Sequence, residues 1–228
     1  ALAAAIGVAV IVRSLLRPPK PDEHDETEAG DQAAPNGWGI LNWRSFGALL
    51  SVTSIDTVVQ TGILVFVAFL MLSKGLPLAV ATGATVILLA GGVFGKAGCG
   101  FLADRLGARQ AFIVVQVLTA VGLVAIVTAP NWLALFALLP LGAVAQGSTS
   151  ITYGFAANLI HPRKMARGYA LLYSTGTLAS VAGPLVFGWV ADTWGIGNAV
   201  YFMALIVLGS IPPMLILRIE TGEPEASR

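Results

Sequence analysis

Long apolar runs fill most of this chain, and short polar turns separate them. Residues 1–16 form the first run, and six further runs occupy residues 45–72, 78–102, 111–129, 132–159, 167–191 and 198–217. A helix needs about 20 apolar residues to cross a bilayer, and these six runs reach or exceed that length. They also lack the alternation of barrel strands. The sequence therefore predicts an all-α polytopic membrane bundle of six full transmembrane helices and one partial helix.

Composition also favours a membrane protein and argues against a soluble enzyme. Only 11% of the 228 residues are charged, whereas soluble domains carry about 25%. The single cysteine, Cys99, excludes an internal disulfide and is expected to be a packing residue. The chain shows no metal-ligand cluster and no nucleophile–base pair. We therefore expect no enzymatic activity, no cofactor, no metal and no nucleic-acid partner, with the lipid bilayer as the surroundings.

The chain divides into four predicted segments. Residues 1–17 are interpreted as the end of a truncated transmembrane helix, because only twelve residues precede Arg13, and the sequence is therefore expected to be a fragment. Residues 18–43 hold half of the twelve acids and four prolines, a composition typical of a flexible linker. Residues 44–218 form a six-helix half-domain, and residues 219–228 form a polar tail.

Basic residues mark one side of the membrane. When the turn after residue 102 is placed in the cytoplasm, twelve of the thirteen Lys and Arg residues fall on that side, and only Lys74 lies on the other face. This bias satisfies the positive-inside rule. The linker and the tail are therefore predicted to be cytoplasmic; the expected membrane is the bacterial plasma membrane.

A polar stretch, residues 95–109, separates two of the apolar runs. We interpret it as a tight turn packed against another helix, since the close spacing of Gly98 and Gly100 permits backbone contact. Its pattern Gly-x-Leu-Ala-Asp-Arg-x-Gly-x-Arg resembles the signature turn of the major facilitator superfamily of transporters. The residues that this resemblance assigns to a conformational-switch turn are Gly100, Asp104, Arg105, Gly107 and Arg109.

The resemblance implies the carboxyl-terminal half of such a transporter, with spans seven to twelve and the end of span six. Its partner would be a missing amino-terminal half, and alternating access would follow from rocking of the two halves. Residues 100–107 are repeated as residues 188–195, where Gly, Ala, Asp and Gly match. Three spans separate the copies, so they face opposite sides of the membrane, as in a 3+3 inverted repeat.

Two ionisable residues lie inside the predicted spans, where charge is costly. Asp56 is twelve residues past Arg44, roughly 18 Å into the bilayer, and Lys96 is eight residues before Asp104, roughly 12 Å from the same face. We expect Asp56 and Lys96 to face a central cavity, where they pair or compete for substrate and proton. A fixed ion pair that joins two helices is the alternative. The position of Lys96 is also similar to that of a substrate-binding cation in monocarboxylate carriers and oxalate/formate antiporters.

A polar stripe on the run over residues 132–159 could complete a hydrophilic pocket. Gln146, Ser150 and Tyr153 fall at i, i+4 and i+7, which is one face of a helix. Together with Asp56 and Gln60 they are predicted to line a substrate pocket. Hydrogen bonding between helices is the alternative.

These patterns favour a secondary active transporter of a small organic solute, anionic if Lys96 binds it, coupled to protons or to a second solute. The first alternative is a drug or antimetabolite efflux carrier of the same fold. The second is a membrane sensor or scaffold that does not transport.

Overall fold

The computed structural model describes residues 38–217. The predicted truncated helix over residues 1–17, most of the acidic linker and the tail over residues 219–228 lie outside this part of the chain.

Helices account for most of the described residues. Six of the segments are long and apolar enough to cross a membrane, and the sixth of them runs over Ile196–Leu215. The predicted membrane helix bundle is therefore confirmed. The helices are α1 (Trp43–Ser73), α2 (Leu78–Leu106), α3 (Ala108–Thr128), α4 (Asn131–Leu159), α5 (Met165–Trp194), α6 (Ile196–Leu208) and α7 (Ile211–Ile216), with a 3-10 turn at Pro162–Lys164 before α5.

The sixth span is interrupted, although the sequence suggested one continuous run. α6 ends at Leu208 and α7 begins at Ile211, with Gly209 and Ser210 between them. Pro212 and Pro213 lack an N–H group, so they cannot donate to the carbonyls four residues earlier. The break places the side chain of Ser210 in the interior, where it is fully buried.

The signature stretch is mostly helix rather than turn, which corrects the sequence interpretation. α2 continues to Leu106, and Gly107 alone connects it to α3. Gly107 has φ +81°, a left-handed conformation that favours glycine. Gly195 has φ +89° and connects α5 to α6 in the same way. The repeat seen in the sequence therefore marks two equivalent helix junctions, 88 residues apart.

Glycines bring α2 and α4 into backbone contact. A Cβ atom on Gly95 would overlap the carbonyl of Ala143, and one on Gly91 would overlap the carbonyl of Leu139. Gly98 and Gly100, expected to be the crowded pair, have no other described residue within 4 Å of such an atom, so that prediction is wrong. The crowded positions lie on the buried face of α2, one or two turns earlier.

Hydrogen bonds join neighbouring segments at the two ends of the bundle. At one end, Lys74 Nζ donates to the carbonyls of Val127 at 2.7 Å and Ala129 at 2.8 Å. These carbonyls end α3, where a cation is favourable. At the other end, the N–H of Leu41 donates to the Leu159 carbonyl at 3.0 Å. The one basic residue predicted outside the cytoplasm therefore has a structural partner.

Candidate functional site

Asp56 lies near the middle of α1 and is 4% exposed. Its Oδ2 accepts hydrogen bonds from Gln60 Nε2 and from Ser148 Oγ, both at 2.7 Å. Its Oδ1 accepts from Gln116 Nε2 at 3.1 Å. These donors come from α1, α4 and α3, so one carboxylate connects three spans.

The polar contacts continue beyond the carboxylate. Gln116 Nε2 also donates to Ser210 Oγ at 2.9 Å, which joins the break in the sixth span to α3. Gln60 Nε2 lies 3.0 Å from Ser148 Oγ and 3.2 Å from Thr149 Oγ1. We call Asp56 and its neighbours the Asp56 network, which comprises Asp56, Gln60, Gln116, Ser148, Thr149 and Ser210.

Lys96 does not belong to this network. No basic side chain of residues 38–217 forms an ion pair with Asp56, and Lys96 is exposed on α2. The neighbouring Gly95 and Cys99 are buried toward α4, and each residue turns the helix by about 100°. The predicted Asp56–Lys96 pair is therefore not formed, because a shared depth in the membrane does not place two side chains on facing surfaces.

An open cavity of about 190 Å³, lined by both polar and apolar surface, lies between α1, α4 and α5. The rings of Tyr153 and Tyr173 stand at its edge with their centroids 5.2 Å apart. Most of the other lining side chains carry hydroxyl groups, and none of them is charged. The lining residues are Thr53, Thr57, Tyr153, Leu172, Tyr173, Gly176, Thr177 and Ser180.

Thr53 connects the cavity to the Asp56 network. It lines the cavity, and it precedes Asp56 on α1 by three residues, so the two lie on neighbouring positions of one helical face. The carboxylate therefore lies behind the wall of the cavity rather than in it.

The three residues of the predicted polar stripe on α4 lie in three different environments. Tyr153 lines the cavity. Gln146 packs against Gly92 of α2, where an added Cβ would lie 2.8 Å from its own Cβ, and its Nε2 has no hydrogen-bond partner among the described residues. Ser150 is half-buried. Among the predicted pocket residues, only Asp56 and Gln60 are hydrogen-bonded to each other.

Four members of the network, Gln116, Ser148, Thr149 and Ser210, were not among the predicted site residues. Gln116 carries a polar amide within a mostly apolar run, and this contrast in polarity could have indicated a functional or structural role. Ser210 lies two residues before the pair Pro212 and Pro213. A helix break is expected near two prolines, and that expectation could have indicated Ser210 as a site residue.

The predicted switch residues lie at the α2–α3 junction. The guanidinium of Arg105 lies over the ring of Phe101 at 4.5 Å, a cation–π contact. Arg109 Nη2 donates to the carbonyl of Leu215, which ties the junction to the end of α7. Asp104 is exposed, and Gly100 is half-buried. Their role in switching stays a prediction.

Comparison with known proteins identifies the family of the chain. Residues 49–228 match the Major Facilitator Superfamily. Autophagy-related protein 22-1 of Penicillium rubens is 27% identical over 157 residues, 62% of this chain and 26% of that protein. The protein of the same name from Aspergillus niger is 36% identical over 86 residues, 37% of this chain and 14% of that protein.

The chain thus spans well under half the length of these relatives. They are fungal, so the expected bacterial plasma membrane is not supported. The family match covers the signature around Asp104, the first membrane-crossing segment from residue 49 onward and the five segments that follow. The chain belongs to the Major Facilitator Superfamily of membrane transporters, as the signature predicted.

Proposed function

We propose that this chain is one half of a secondary active transporter that moves a small polar organic solute by alternating access. The observation that carries the proposal is the cavity between α1, α4 and α5, where hydroxyl-bearing side chains gather within a largely apolar membrane domain. Polar surface inside a membrane is costly unless it meets a polar ligand or water. Solute sites of such carriers lie near the midplane, between two structural repeats.

The cavity forms one wall of the proposed solute site. Its volume of about 190 Å³ is below the roughly 300–1,000 Å³ of a typical ligand pocket. A second six-helix half would supply the opposite wall. Hydroxyl groups would hydrogen-bond the solute, and the tyrosine pair would pack against its apolar part.

The charge of the solute would depend on Lys96. The cavity lining is uncharged, whereas Lys96 is an exposed cation inside a membrane segment. Lys96 lies one turn from Gly92, which contacts Gln146 of the polar stripe. A positive charge at this place would favour anionic solutes over cationic ones.

Asp56 would couple solute binding to the driving ion or second solute. Its network ties α1 to α4, two walls of the cavity. Binding or release of the coupling ion or solute at the carboxylate would alter the hydrogen bonds between α1 and α4, and thereby the shape of the cavity. The switch residues at the α2–α3 junction would then favour one orientation of the two halves.

Uptake into proteoliposomes tests the proposal. The full-length protein would be reconstituted and screened with small polar acids, zwitterions and neutral solutes, with and without ion gradients. Accumulation of a polar solute that depends on a gradient is the expected result. Export of apolar drugs with no effect of Lys96→Ala would favour the efflux alternative. Solute binding without flux would favour a sensor and overturn the proposal.

A further inference from the structure

We infer that the Asp56 network, with Thr53, is a binding site for a monovalent metal cation of the size and chemistry of Na⁺. The inference deepens the proposed function, because it gives the coupling solute a chemical class, and it rests on that function for its role in transport. Binding of the cation can be measured without transport, so the two proposals can fail separately.

Asp56 is a buried carboxyl group with no basic partner among residues 38–217. All three of its hydrogen-bond donors are neutral side chains. No basic residue among residues 38–217 forms an ion pair with it. Charged side chains within membrane segments pair with one another or mark ion pathways. A bound cation would supply the missing positive charge.

Two buried side-chain oxygen atoms near Asp56 have no hydrogen-bond partner in the part of the chain that the structure describes. One is Oε1 of Gln116, whose own amide nitrogen donates to the carboxylate; the other is Oγ1 of Thr53, one turn before Asp56 on α1. Gln116 is fully buried, and Thr53 is 7% exposed. Buried polar atoms are nearly always paired, so each of these needs an explanation. A cation held by their lone pairs and by the carboxylate accounts for both.

The surrounding atoms form the ligand set that a hard cation prefers. Ser148 and Ser210 add hydroxyl oxygens. Hard metal cations take carboxylate, carbonyl and hydroxyl oxygens rather than nitrogen or sulfur. Ser210 lies at the break between α6 and α7, and interrupted transmembrane helices commonly supply ion ligands in secondary carriers.

A path for the cation leads through Thr53. This residue lines the hydroxyl-rich cavity and also stands next to Asp56 on α1. The Thr53 hydroxyl oxygen itself is buried, so an ion in the cavity would have to pass the Thr53 side chain before it reaches the carboxylate. Solute in the cavity and cation at Asp56 would share one wall, which is the arrangement that coupling requires.

Thermal stability in defined salts tests the site. The purified full-length protein in lipid nanodiscs would be unfolded in NaCl, KCl or N-methylglucamine chloride at equal ionic strength and without solute. We expect Na⁺ to raise Tm by several degrees in a saturable way, because a ligand that binds only the folded state stabilises it. Asp56→Asn should abolish the rise. Asp192→Asn, which removes an exposed carboxylate outside the network, should leave it unchanged.

Thr53→Val keeps the test decisive if Asp56→Asn does not fold. Valine has nearly the same shape, and Thr53 Oγ1 makes no hydrogen bond that valine would lose. We expect unchanged stability without Na⁺ and an apparent Na⁺ affinity weaker by about tenfold.

Two results in defined salts would overturn the inference. One is the absence of Na⁺-specific stabilisation of the wild-type protein. The other is that Na⁺ stabilises Thr53→Val and Asp56→Asn as much as it stabilises the wild-type protein. A stability that depends on pH through Asp56 but not on Na⁺ would also overturn it, since a proton would then occupy the site. Gradient-driven uptake that persists without Na⁺ would reject this inference and leave the proposed function standing.

Discussion

The amide nitrogen of Gln116 lies 3.1 Å from Oδ1 of Asp56, although 60 residues separate them in the chain. The same nitrogen lies 2.9 Å from Ser210 Oγ. The Gln116 side chain therefore joins α1 to α3 and to the break in the sixth span. It also donates a hydrogen bond to a carboxylate that has no basic partner among residues 38–217. The chemistry expected of Asp56 therefore involves several spans at once.

Asp56→Asn should abolish gradient-driven uptake and leave the fold intact. Asparagine keeps the shape of the side chain but replaces one acceptor oxygen with a donor, so it cannot carry the charge. Individual hydrogen bonds between membrane helices contribute only about 0.6 kcal/mol, so we expect little loss of stability. Uptake in proteoliposomes and Tm would be measured together, with Asp192→Asn as the control. Wild-type uptake by Asp56→Asn would contradict a coupling role.

Lys74→Met should destabilise the bundle without involving the solute site. The ammonium group donates to two carbonyls at the end of α3, and charge-assisted hydrogen bonds of this kind contribute about 1–2 kcal/mol. The decrease in Tm would be compared with that of Lys96→Met. Lys96 is exposed, and its side chain forms no hydrogen bond with any of residues 38–217. Equal Tm values for both variants would show that the contacts of Lys74 do not contribute.

The sequence was sufficient to predict the membrane architecture. Apolar length is informative because a bilayer leaves a chain few ways to satisfy its backbone hydrogen bonds. The positions of basic residues and the signature around Asp104 are separate signals that favour the same architecture. The matching glycines Gly107 and Gly195 were found as a repeat, and both have the left-handed backbone of a one-residue helix junction. The expectation of a transporter rather than an enzyme is confirmed by the family.

The arrangement of the candidate site was harder to predict. Asp56 and Lys96 were placed at similar depths, but depth does not specify which face of a helix meets a neighbour. Gln116 and Ser210 approach Asp56 only because α3 and the interrupted sixth span pack beside α1. Such contacts depend on tertiary structure, and no local pattern in the sequence encodes the pairing of residues 56 and 116.

Gly95→Ala and Gly98→Ala should differ sharply in stability. A methyl group on Gly95 would overlap the backbone of α4, whereas one on Gly98 meets nothing within 4 Å. Forcing extra volume into a well-packed contact costs about 1–3 kcal/mol, so only Gly95→Ala should lower Tm substantially. Gly98→Ala is the matched control, because it adds the same group to the same helix. Equal losses in the two variants would contradict the close α2–α4 contact.

Gly176→Val should obstruct the solute cavity while the bundle stays folded. Gly176 lines the cavity, and a Cβ atom there meets only Thr57 Oγ1, at an ordinary 3.7 Å. The added methyl groups would therefore project into the space of about 190 Å³ instead of displacing a neighbouring helix. We expect KM to rise, with a Tm close to that of the control Gly188→Val. Gly188 lies on the same helix, and its added Cβ would meet Phe66 at 3.8 Å. If both variants show the same uptake kinetics, the solute does not enter this cavity, and the proposed binding surface must lie elsewhere on the domain.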